Sequence, residues 1–240
     1  FLSFSIEDNE EDIRAVFKEG ETECFTTLNS SLYNEEKYLI QGIPATTLGL
    51  VFNTEDEIFS NVNMRKALAL SINKTELGSR IDSDLQIAHG IIPPALMDHG
   101  RSYRELVSDK GLGAYDETQA IECYEAAKKE AKFASPGELK ILVNAETVDS
   151  SYLHILTRKW QDIFGFYIGI EDVSASEFNS RIAQGDYKIA LYPLKGDTAM
   201  RSAIIEKLSK SGVCGELAGY DAVVEAMHSC STVEHLIDSY

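Results

Sequence analysis

Long apolar runs are missing from this sequence. No stretch approaches the roughly 18 consecutive apolar residues that a membrane-crossing helix requires, so no such helix is expected. Positive charge is also scarce: 22 Lys and Arg stand against 39 Asp and Glu, giving a net charge of −17 and a pI near 4.7. A field of that sign repels phosphate backbones, and no basic stripe interleaved with aromatics offsets it, which excludes nucleic acid as a partner. Paired cysteines are absent as well. Cys24, Cys123, Cys214 and Cys230 are scattered with no CxxC between them, so four free thiols are expected rather than a disulfide framework. Cys214, His228, Cys230 and His235 gather late in the chain. Their "HSC" spacing is not one that recurs in structural zinc sites, and no metal is expected.

The signatures of catalysis are equally thin. "GLGAYD" carries Asp116 where a dinucleotide fingerprint needs its third Gly, and there is no GxxxxGK[ST] loop, GxSxG elbow or HExxH helix. The five histidines lie apart, none beside a Ser or Cys nucleophile signature. Neither an enzyme nor a cofactor is expected.

What is present is a regular alternation of strands and helices. With 44% apolar and 25% charged residues in 240, the chain can bury a sizeable core. "FLSFSI" (1–6) alternates as a strand, and the acidic "EDNEEDI" (7–13) reads as the solvated first turn of a helix ended by Gly20. A strand is expected over 46–52. From Asn61, Met64, Ala67, Leu68 and Ile72 recur at helical spacing, and Asn73 with Glu76 forms a capping box that opens a second helix. "GIIPPAL" (90–96) breaks the pattern, because paired prolines enforce extended backbone. Asp116 then caps a helix with Ala120, Cys123, Tyr124, Ala127 and Ala131 on one face. A strand "LKILVNAE" follows, then a helix with Leu153, Leu156, Trp160 and Ile163 at core spacing and Gly165 as terminator. "FYIGIEDV", "SASEFNSRIAQG" and "YKIALYPL" give strand, capped helix and strand. With no repeats or linkers to divide it, the chain is expected to be a single α/β lobe.

The stretch "GLVFNTEDEIFSNVNMRKALALSINK" (49–74) resembles the signature region of the family 5 extracellular solute-binding proteins, the receptors of oligopeptide, dipeptide and nickel ABC importers. Phe52, Asn53, Phe59, Val62, Arg65, Ala67, Leu68, Ile72, Asn73 and Lys74 carry the likeness. "GIIPPAL", "YDETQAIECYEAAKKE", the run from Thr157 to Tyr192 and "GYDAVVEAM" follow in the family's order, so the resemblance covers most of the chain. It implies one lobe of a type II periplasmic-binding-protein-like fold, a mixed sheet flanked by helices. Residues 1–240 would be the second, C-terminal lobe, cut before the chain returns to the first. No signal-peptide core precedes Phe1, and an excised piece would have lost its address labels.

The resemblance further implies that a peptide or similar small solute is captured between two lobes and handed to ABC transporter permease subunits. The site of action would be the periplasm or the extracellular face of the cell membrane, where a lipoprotein's lipid anchor would be the only membrane attachment. Asn53 and Arg65 are expected to fix the strand-to-helix corner rather than to touch ligand. Ligand contacts in α/β lobes gather outside the strand carboxyl ends, and the loop after "YKIALY" fits. Peptide-binding members carry Gly-Trp-x-x-Asp-Tyr there, the Asp meeting the peptide ammonium; here Leu194 takes the Trp position and Asp197 the Asp position. The candidate ligand-binding set is Tyr192, Leu194, Lys195, Gly196 and Asp197. Because Leu194 departs from the pattern, pocket shape and ligand class do not carry over with it. The alternative is a solute-sensing domain of a transcriptional regulator, since related lobes occur fused to DNA-binding modules; a lipobox or a helix-turn-helix in the parent's N-terminus would separate the two.

Overall fold

The computed structural model of the chain describes residues 10–25, 45–81, 85–88, 90–98, 101–106, 114–147 and 150–195, with Ile204, Lys207, Leu208 and Glu225. The chain divides into two compact units, Phe1–Gly42 with Asp82–Leu85, and Ile43–Ile81 with Gln86–Tyr240. In the first unit, helix α1 (Glu10–Lys18) runs where the acidic first turn is expected. It closes at Gly20, whose φ of +77° favours a residue without Cβ, while Glu21 N donates to Val16 O. Phe17 packs edge-on against Phe25 with centroids 5.0 Å apart. The strand expected over 1–6 lies outside the described residues.

The second unit is built on a mixed four-stranded sheet in the order β1-β6-β4-β5. Strands β4 (Leu139–Asn144), β5 (Ile168–Val173) and β6 (Ile189–Lys195) run parallel, and β1 (Thr46–Phe52) lies antiparallel to β6. Period-two alternation sends Leu48, Leu50, Phe52, Ile141, Val143, Ile168, Ile189 and Leu191 to one face and Val51, Leu142, Ala190, Tyr192 and Leu194 to the other. "LKILVN" reads as a nearly continuous apolar run because β4 is buried on both faces.

The first face is covered by α2 (Val62–Leu70), α5 (Glu117–Ala131) and α6 (Leu153–Phe164). Each begins or ends on the signal read from the sequence. Asn61 Oδ1 accepts from Asn63 N and Met64 N, Asp116 Oδ1 accepts from Gln119 N, and Gly165 stands at φ +76° with its N–H on Gln161 O. Ala131 faces solvent rather than the core, because α5 ends there against the left-handed Lys132, φ +55°. Ile72 lies past the end of α2 rather than within it. Asn73 must be extended (φ −80°, ψ 95°) for its side chain to accept from Glu76 N and start α3 (Lys74–Gly78), so α2 closes at Ser71.

The opposite face carries α7 (Ala175–Gln184), capped by Ser174 and ended at Gly185, φ +69°, which buries Phe178 against Leu142 and Ala190. Beside it the proline segment leads through a short hairpin, β2 (Met97–Asp98) and β3 (Arg101–Ser102), into α4 (Tyr103–Leu106). Ile92, Leu96 and Tyr103 form a separate apolar cluster with Leu194, Ile204 and Leu208. Among the described residues no helix is long and apolar enough to cross a membrane.

Candidate functional site

The "VFNTEDEIF" corner is held by its own polar side chains. Asn53 Nδ2 donates to Gly185 O (3.0 Å) and Tyr187 O (3.1 Å), and its Oδ1 accepts from Glu55 N (3.0 Å). Asp56 Oδ1 accepts from Ile58 N and Phe59 N, which turns the fully buried Phe59 ring onto Phe52, centroids 5.1 Å apart. Arg65 Nη1 donates to Phe59 O and Ser60 O. Asn61 Nδ2 and Asn63 Nδ2 both donate to the Glu130 carboxylate, which holds it below the usual glutamate range and ties the start of α2 to α5. Asn53 and Arg65 therefore do what the corner reading requires of them: they satisfy backbone carbonyls that a strand-to-helix turn would leave open.

At the opposite end of the sheet the parallel strands present their carboxyl ends. The crossover from β4 to β5 passes over one face through α6, and that from β5 to β6 passes over the other through α7. Such a reversal leaves a crevice outside the strand ends, where α/β lobes bind ligands. Between β4 and β5 the crevice is closed by internal bonds. Ala145 N donates to Val173 O (3.0 Å), Ala175 N to Glu146 Oε1 (2.9 Å) and Ser150 Oγ to Asp172 Oδ2 (3.0 Å). Glu146 thus occupies the electropositive start of α7. Between β4 and β6 the arrangement differs. Pairing among the described residues covers Ile141–Ile189 and Leu142–Ala190, and beyond these β6 continues to Lys195 paired with β1. Pro193, lacking an N–H, falls within this stretch.

Of the five sequence-derived site residues, Tyr192, Leu194 and Lys195 sit on that run of β6 beyond the β4 pairing. Tyr192 is half-buried and stacks on Phe178 with centroids 6.5 Å apart. Leu194 shares its face but is only 6% exposed, covered by the Ile92, Leu96 and Tyr103 cluster. Lys195, on the other face, is exposed at the strand end opposite Thr46. Gly196 and Asp197 lie outside the described residues, as do Cys214, His228, Cys230 and His235. Cys24 is an exposed free thiol and Cys123 a half-buried one. Among the described residues no three His, Cys, Asp or Glu side chains gather where they could hold a metal.

Two cavities lie away from this strand end. One of about 370 Å³ runs between α3 and α6, lined by Ser71, Leu77, Arg80, Arg158 and Trp160. Another of about 660 Å³ lies toward the amino ends of β4 and β6. Arg181 pairs there with Glu171 and Asp186 (both 3.3 Å) and Lys188 with Asp56 (3.7 Å), and with Glu55, Glu138 and Lys140 also in the lining the groove is net acidic. Sequence reasoning singled out neither Glu146 nor two of the side chains that pin the proline segment, Ser102 and Arg104, and it marked Lys74 only as part of the family likeness. Lys74 Nζ donates to Ala88 O (3.1 Å), Arg104 Nε to Ile92 O (2.8 Å) and Ser102 Oγ to Pro94 O (2.9 Å). The prolines marked the segment, but nothing in the sequence marked what it covers.

The sequence profile of the bacterial extracellular solute-binding proteins, family 5 Middle, matches residues 4–213, and the chain belongs to this family. Solved structures share the fold. The pheromone receptor PrgZ, described with its mode of peptide binding, superposes with a TM-score of 0.74 at 18% identity over 96% of this chain and 47% of its own. The substrate-binding domain of an oligopeptide ABC transporter from Bacillus anthracis gives 0.72 at 18% identity, over 94% of this chain and 47% of its own. Haemophilus influenzae OppA, in complex with RPPGFSPFR, gives 0.69 at 17% identity, over 96% and 47%. The chain thus spans about half the length of these structures. No curated protein matches the chain in sequence.

Proposed function

We propose that residues 1–240 are the second lobe of a two-lobed binding protein that captures a peptide or similar small solute and delivers it to the permease subunits of an ABC importer, without catalysis. The parent would work in the periplasm or, held by a lipid anchor, on the extracellular face of the cell membrane. The observation that carries this reading is the family match over 4–213, in a chain half the length of relatives that include a peptide-bound OppA. The β6 end supports it, because Tyr192, Leu194 and Lys195 leave the β4 ladder at the carboxyl side of the sheet and lead directly into Gly196 and Asp197. A single lobe supplies one wall of such a site.

In this reading Asp197 receives the α-ammonium of the peptide, a charge-assisted hydrogen bond worth about 1.5–3 kcal/mol. Calorimetry on the full-length protein tests it. Asp197→Asn keeps size and most hydrogen bonding but removes charge, so a peptide with a free amino terminus loses about 1.5–3 kcal/mol of binding while its N-acetylated form binds both proteins equally. Equal losses for both peptides would remove Asp197 from ammonium recognition.

A further inference from the structure

We propose that Arg104 is a positioning residue for this ligand site: clamped against Gly90, it locks the proline segment over β6 and so sets where Leu194 and Lys195 stand at the carboxyl end of the sheet. The geometry is specific. Arg104 Nε donates to Ile92 O at 2.8 Å while its guanidinium lies against the Gly90 backbone, so closely that a Cβ on residue 90 would come within 3.0 Å of Nη1 and nearer still to Nη2. A Cβ there would push the guanidinium aside, since the atoms it meets are the far end of the Arg104 side chain. Its neighbours Ile91 and Ile92 then diverge, Ile91 44% exposed and Ile92 4% exposed.

Ile92 and Leu96 lie with Leu194 in one apolar cluster that Tyr192 borders. That contact falls on the part of β6 that has left β4, where the strand has β1 as its ladder partner and the cluster as its cover. Lys74 and Ser102 pin the same segment at Ala88 O and Pro94 O, and Tyr103 N donates to Leu96 O at 3.1 Å, so the segment is a braced strut rather than a free loop. Arginine suits the central position because a planar fork can lie flat on glycine backbone while still donating through Nε, which an ammonium on a flexible stem cannot do. The functional meaning of the clamp rests on the proposed ligand site at the β6 end; its geometry does not.

The test uses the full-length protein with Gly90→Ala, Arg104→Ala and the double substitution, read by amide hydrogen exchange and by calorimetry with tetra-alanine. Arg104→Ala is expected to speed exchange of the 190–195 amides about tenfold or more, leave the 139–144 amides unchanged, and weaken tetra-alanine binding about tenfold, the scale of one or two lost hydrogen bonds, with Gly90→Ala, which displaces the guanidinium, giving the same pattern at smaller size. Because Gly90 serves to make room for the guanidinium, the double variant should be no worse than Arg104→Ala alone. Unchanged exchange in Arg104→Ala, or additive effects of the two substitutions, would overturn the clamp. Faster exchange with unaltered tetra-alanine affinity would overturn its role at the site, leaving a purely structural brace. Failure of the unsubstituted protein to bind tetra-alanine would count against the peptide reading, and the exchange pattern would still decide the clamp.

Discussion

Replacing Asn53 separates support of the corner from contact with ligand. Its side chain makes three hydrogen bonds, two donated to carbonyls 132 and 134 residues away and one accepted two residues on. The bond to Tyr187 O is partly buried and is worth about 1 kcal/mol; the two exposed ones fall at the low end, about 0.5 kcal/mol each. Asn53→Ala should therefore destabilise the protein by about 2 kcal/mol in urea unfolding followed by circular dichroism. Asn53→Asp is the sharper variant. It keeps the acceptor for Glu55 N but turns a carboxylate oxygen toward two carbonyl oxygens, so it should cost at least as much as the alanine even though it retains one more bond. Ligand affinity of the full-length protein should stay unchanged in both. A loss under about 0.5 kcal/mol for the alanine, or an aspartate milder than the alanine, would refute the donor role assigned to Nδ2.

Two further outcomes follow from the packing. Trp160, the sole tryptophan and 1% exposed, donates through Nε1 to Ser71 Oγ at 2.9 Å. Trp160→Phe should cost about 2–3 kcal/mol in chemical denaturation from the lost bond and the space left behind, and a cost below about 1 kcal/mol would contradict that packing. Glu130, held below the ordinary value of 4.5 by Asn61 and Asn63, contributes stability that is present above that value and fades as pH falls through the depressed folded-state pKa. The stability gap between the protein and its Glu130→Gln variant should thus be constant from pH 7 to about pH 5 and shrink at pH 3.5, while an equal gap at both ends would refute the link.

Much of the fold was legible because its local signals agree with its burial. Asn61, Asn73, Asp116 and Ser174 each cap the helix their spacing announced, and Gly20, Gly165 and Gly185 each stand at positive φ where a helix stops. The misplacements are local conflicts. Ile72 has the right spacing for α2, but the capping geometry of Asn73 ends the helix first; Ala131 has the right phase for the core, but α5 terminates at it. The candidate site was less legible. Leu194 could be placed at the end of β6, yet its burial depends on Ile92 and Leu96, about a hundred residues away, held there by Arg104. No periodicity within one element encodes such a contact. Glu146 on the start of α7 is hidden for the same reason, since its partner Ala175 lies 29 residues on.

The most direct test of the account is to purify the full-length protein from its native cells, unfold it, and identify by mass spectrometry the molecule it releases. The proposed capture of a peptide ammonium by Asp197 predicts short peptides with free amino termini. Release of a metal chelate, a sugar or amino-blocked molecules would contradict it.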